Sequence, residues 1–137
     1  MTAKRTHWKP FFAETVSQLL AKHTFGDHLP QSFFVSKVVE GVTGVNVASL
    51  LWGKEACVDP TEKYVEDIAS TIGMVRVSCP SKLSRGDVLV FTHHGAKHAG
   101  VSLGMGGVTV VSGGVLHFHT AEIDYGYTYA EHVAVSR

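Results

Sequence analysis

Nine of the 137 residues are histidine, and five of them (His93, His94, His98, His117 and His119) fall in one stretch of short apolar runs. Histidine titrates near neutrality, so it is the first side chain to consider as a general base or a metal ligand. His98 opens the run His98-Ala99-Gly100-Val101-Ser102-Leu103-Gly104, a short loop after Gly86-Asp87-Val88-Leu89-Val90-Phe91. A histidine at the mouth of a sheet, beside a helix N-terminus, can deprotonate a thiol or hydroxyl. His117 and His119 alternate and so share one strand face. With His98 or His93 they would make a three-histidine zinc set. No Asp, Glu or Cys stands at a recognised ligand spacing from them, so polar strand positions and an exposed His93-His94 loop are the plainer reading, and no metal or cofactor is expected.

Nucleophiles are few. Cys57 and Cys79 form no C-x-x-C pair, and reduced thiols are the default where no export signal is visible. Cys57 lies just before Asp59, near a helix start, and reads as a buried structural thiol. Cys79, beside Pro80, has no activating feature. Ser32 falls in a helix first turn, where serine commonly caps. Asp124, Tyr125, Tyr127 and Tyr129 form an aromatic segment suited either to a groove or interface or to an ordinary last strand pair with surface tyrosines.

These residues need elements to position them. Trp8, Phe11, Phe12, Val16, Leu19 and Leu20 recur at helical spacing, with Pro10 in the first turn. The turn Gly26 to Pro30 should end that helix. A second helix should begin just after Pro30, carry Phe34, Val35, Val38, Val39 and Val42 inward, and stop at Gly44. Val47 to Leu51 fits one further turn. A third long helix should start at an Asp59 N-cap, with Pro60 at N1 and Glu62 closing a capping box, and end at Gly73. Strands follow at Met74–Val77, Val88–Phe91, His98–Leu103, Val108–Val111, Val115–His119 and Tyr127–Val135. The expected fold is one α+β domain over residues 1–137: helices packed on a small antiparallel meander, either a curled sheet or a partly open barrel.

Composition sets outer bounds. Apolar residues make up 45% and charged residues 18%, a globular profile. Lys+Arg and Asp+Glu number 12 each, a balance that argues against nucleic acid as a bulk electrostatic partner. The one dense basic stretch, Lys4, Arg5, His7 and Lys9, reads as a solvated helix start. No apolar run approaches the ~20 residues of a membrane helix, and no signal peptide is visible.

Two of these segments carry a family resemblance. Gly86-Asp87-Val88-Leu89-Val90-Phe91 followed by His98-Ala99-Gly100-Val101-Ser102-Leu103-Gly104 resembles the G-D-L-V-F-F … H-V-G-I-Y-L-G core of the NlpC/P60 peptidases, papain-like cysteine hydrolases of cell-wall peptides. Nearly the whole chain is similar to a small phage-associated branch of that superfamily. Its members open on a Trp-led helix, here Trp8, and continue with a helix that begins with Asp-Cys and ends in V-E-A-M-T-G-V-D. Here that end reads Val39-Glu40-Gly41-Val42-Thr43-Gly44-Val45-Asn46.

Counted back without gaps from Thr43-Gly44, the Asp-Cys of that pattern falls on Pro30-Gln31. The resemblance therefore implies that Gln31 stands at the nucleophile position, with His98 as a vestigial base and Ser32 as the nearest substitute. A cysteine belongs there because a helix N-terminus lowers a thiol's pKa and a facing histidine completes the ion pair. A glutamine can only exchange hydrogen bonds.

The resemblance implies a structural protein of a phage tail tip or baseplate, assembled in the host cytoplasm, whose partners are other tail proteins. Two alternatives remain at this point. One is an active peptidoglycan hydrolase using Ser32, Cys57 or a metal. The other is a module that holds a cell-wall peptide without cutting it.

Overall fold

The computed structural model describes residues 8–24, 29–53, 57–112 and 114–129, with side chains from residue 12 onward. Lys4, Arg5 and His7 and the Lys9 side chain lie outside the described residues, as does most of the Gly26–Pro30 turn. Helices α1 (Trp8–Thr24), α2 (Gln31–Thr43), α3 (Val47–Trp52) and α4 (Thr61–Ile72) come first. The strands are β1 (Val75–Val77), β2 (Val88–His93), β3 (Ala96–Ser102), β4 (Gly107–Val111), β5 (Gly114–Phe118) and β6 (Ile123–Thr128). They form one antiparallel sheet in the order β1-β6-β2-β3-β4-β5.

α2 begins at the residue after Pro30 and stops at Gly44, whose φ of 78° is left-handed and whose N–H returns to Glu40 O. Its valines are poor helix formers, each costing up to ~0.7 kcal/mol against alanine. Val35, Val38, Val39 and Val42 are at most 1% exposed, and burying a valine contributes ~1.5 kcal/mol or more, so packing wins. That face rests on β3 and β4. α4 differs from expectation at its start. Pro60 takes the N-cap place and no side chain caps it. The Asp59 capping box does not form, because Pro60 at the N-cap has neither an N–H to donate nor a side-chain oxygen to accept; the Glu62 carboxylate accepts a hydrogen bond from Tyr125 Oη at 2.9 Å, tying the helix start to β6.

The sheet also departs from a simple meander. β2 to β5 do run in order, but β6 returns across the sheet and inserts between β1 and β2. β6 spans Ile123–Thr128 rather than starting at Tyr127, and residues 130–135 of the anticipated strand lie outside the described residues. The pairing shifts between Val90 and Phe91, which face Tyr125 and Ile123. This irregularity puts Ile123 in one core and Tyr125 and Tyr127 in the other, so strict alternation could not locate the strand.

The sheet is strongly curled. Phe91 on β2 and Phe118 on β5 stack at 3.8 Å although two strands lie between them. Glycines make that contact possible. A Cβ on Gly100 would come within 2.8 Å of Val108 O and 3.0 Å of the Phe118 ring, and a Cβ on Gly107 would run into the same ring. Leu83, Leu89, Phe91, Phe118 and Ile123 thus form a second core on the face opposite the helices.

Candidate functional site

β3 and β4 pair only through Val101↔Val108 and Ser102↔Gly107, then part. Continued by two residues, that register would set Ala99 opposite Val110. The side chain of Gln31, the first residue of α2, fills that place. Ala99 N donates to Gln31 Oε1 at 2.7 Å, and Gln31 Nε2 donates to Val110 O at 3.0 Å. The amide therefore acts as a ladder peptide bond supplied by a side chain. Thr109 Oγ1 donates to Ala99 O, so both backbone groups of Ala99 bond to side chains.

The second hydrogen on Gln31 Nε2 points at His98 Nδ1, 3.2 Å away. This fixes the chemistry of the imidazole. Turned over, the amide would set its N–H groups against the Ala99 N–H and its oxygen against the Val110 carbonyl. The orientation is thus dictated by the backbone, His98 Nδ1 must accept, and the neutral ring carries its proton on Nε2. The ring stacks on Phe91 at 5.5 Å and meets His93 edge-on at 6.1 Å. Burial first, and the nearby His93 and His94 next, hold its pKa below the ordinary histidine value.

The pair lies in a cleft of about 600 Å³ that is also lined by His23, Leu29, Pro30, Thr61, Lys97, Val111 and Ser112. His23 anchors one wall. Its Nε2 lies 2.9 Å from both Val111 O and Gly114 O, and its Nδ1 accepts from Leu29 N at 3.1 Å. On the other wall the Lys97 ammonium contacts Asp124 at 2.8 Å, and Thr92 Oγ1 donates to the same carboxylate. Asp124 is held below the usual carboxylate range, by Lys97 first and then by Thr92.

The other candidates lie elsewhere. Ser32 is buried and lines a separate cavity of about 380 Å³ with Phe33, Trp52 and Cys57, not the His98 cleft. Burial pushes the Cys57 thiol up, away from the thiolate. Cys79 is exposed, and its pKa is lowered chiefly by the Ser81 hydroxyl 3.1 Å away. The possible zinc ligands are dispersed. His98 sits on the Phe91 face. His117 is exposed on β5, on the face opposite Phe118, and the His119 side chain caps the short 3-10 helix Thr120–Glu122. Among the described residues no three of His, Cys, Asp and Glu are arranged to hold a metal ion.

Tyr125, Tyr127 and Tyr129 are at most 8% exposed and belong to the helix-side core, so they line neither a groove nor the surface. The parts that sequence reasoning missed are mostly backbone, namely Ala99 N–H and Val110 C=O, and carry no side-chain signal. His23 did have one, since it continues the Val16, Leu19, Leu20 stripe by one helical step.

Comparison of the chain with protein-family models, with curated proteins and with solved structures gives no match in any of the three. No helix among the described residues is long and apolar enough to cross a membrane.

Proposed function

We propose that this chain is a structural component of a phage tail tip or baseplate, with an NlpC/P60-like, papain-like fold that performs no peptidase chemistry. The phage context comes from the resemblance of the Trp8-led opening and of Val39 to Asn46; the Gly86 and His98 segments carry the NlpC/P60 likeness. The observation that carries the loss of catalysis is the Gln31 amide. By the resemblance it takes the place of the nucleophile; it offers no nucleophilic atom and uses the lone pair of His98 Nδ1 as an acceptor. A base whose lone pair is already engaged by a neighbouring amide has none free for a proton from substrate or water.

The partners on this reading are other tail or baseplate proteins, and the location is the virion. Quantitative mass spectrometry of purified particles carrying His98→Ala tests it. The expected result is wild-type copy number together with wild-type infectivity. Normal incorporation with lost infectivity would show that the histidine does more than occupy a vestigial position, and would overturn the proposal.

One observation favours a second reading, a module that holds a cell-wall peptide without cutting it. The cleft stays open beside the engaged Gln31, and its rim carries Thr61, Lys97 and Ser112 as polar groups. Chemical shift changes confined to these residues on titration with wall peptides would favour binding. Unshifted spectra would leave the structural role alone.

A further inference from the structure

We propose that Gln31 and His98 form a proton-operated latch, which closes the β3–β4 seam while His98 is neutral and releases it when His98 is protonated. The inference goes beyond the structural role proposed above and does not depend on it, since it rests on the hydrogen bonds of Gln31 and not on the chain's partners or location.

The geometry leaves the amide no neutral escape. With Nδ1 protonated, Gln31 Nε2–H and His98 Nδ1–H become two donors facing one another across 3.2 Å. Turning the amide would satisfy the imidazolium. It would then oppose Nε2 to the Ala99 N–H and Oε1 to the Val110 carbonyl, breaking the bonds of 2.7 and 3.0 Å. One clash is exchanged for two. The seam has no backbone pair to fall back on, because the β3–β4 ladder ends at Val101↔Val108. Protonation therefore drives either the imidazole or the amide out into the open cleft that both of them line.

The surrounding charges do not compensate an imidazolium. From β2 and its hairpin come His93 and His94, neither of which can supply a negative charge. Lys97 on β3 is already cationic, and the facing carboxylate on β6, Asp124, is engaged by Lys97 and Thr92. Glu62 on α4 accepts from Tyr125. On α1, His23 meets the carbonyls of Val111 and Gly114 and the N–H of Leu29. Among the described residues no carboxylate pairs with His98. The depressed pKa of His98, set by burial and by His93 and His94, agrees with a site built for the neutral ring.

NMR on the isotope-labelled chain tests this from about pH 8 to about pH 5, the window in which histidine titrates. The expected result at the upper end is a neutral His98 protonated on Nε2 and a slowly exchanging Ala99 amide. As His98 titrates, the Ala99 protection factor should fall about tenfold, the scale of one lost hydrogen bond, while that of Leu89 in the central strand β2 holds. Two variants bracket the effect. His98→Phe keeps the stack on Phe91 and should abolish the pH dependence at Ala99. Gln31→Glu replaces the donor with a carboxylate and should raise the His98 midpoint above that of the wild type. Ala99 protection that ignores the His98 titration would overturn the latch, as would parallel loss at Ala99 and Leu89. A Gln31→Glu midpoint at or below the wild-type value would overturn it too.

Discussion

The Gln31 carboxamide makes three hydrogen bonds with three partners, one donor and two acceptors, and a primary amide matches that set where a thiol does not. Gln31→Ala strips Ala99 N and Val110 O of their partners. The cleft lets water repair part of the loss, so the expected cost is about 1–3 kcal/mol in chemical denaturation, a midpoint shift with unchanged slope. A cost near zero would mean that the amide is ornamental. The His98 pKa gives a signed expectation as well. It is lowered from 6.5 in the folded chain, so below that pH the unfolded chain binds more protons. The stability that His98 contributes is complete above about pH 6.5, the unfolded value, and is lost as pH falls toward the lower folded value. Wild type should therefore lose more melting temperature on acidification than His98→Phe, as differential scanning calorimetry at matched pH values would show. Equal losses would exclude His98 as the source.

The curled sheet explains how one face can carry a second core without a covering helix layer. Phe118 lies over Gly100 and Gly107, so either glycine changed to alanine must displace a buried ring or the backbone. The expected penalty is about 1–3 kcal/mol for each, measured by urea unfolding. A neutral substitution at both would show that the ring has room. Tyr125→Phe breaks the bond from β6 to Glu62 at the start of α4 and should cost about 1 kcal/mol, since it removes a hydrogen bond to a carboxylate at the surface. Much of this level was legible in the sequence. Valine spacing and Gly44 marked α2 to the residue, and the short runs between glycine pairs marked β2 to β5. What escaped had physical causes. The β6 irregularity beside Asp124 breaks the two-residue period, and the return of β6 between β1 and β2 is a long-range pairing that no local pattern encodes. The Asp59 cap failed because the helix starts one residue later, with Pro60 at its N-cap. The tyrosines Tyr125, Tyr127 and Tyr129 read as groove-lining or surface residues, but their rings are buried in the helix-side core.

Among the described residues, one antiparallel sheet and four helices bring the start of α2 against the splayed ends of β3 and β4. That junction is where Gln31, from the first half of the chain, meets His98, from the second. The gap-free count from Thr43-Gly44 and the position of His98 named both residues from sequence. The ladder role of the amide needed coordinates, because its partners are backbone atoms. On the proposed reading this junction holds a structural amide and performs no hydrolysis. The most direct test of that reading is a clearing assay of the purified chain on isolated cell walls, with His98→Ala alongside. The expected result is no clearing by either protein. Clearing by the wild type that disappears in His98→Ala would contradict the claim outright.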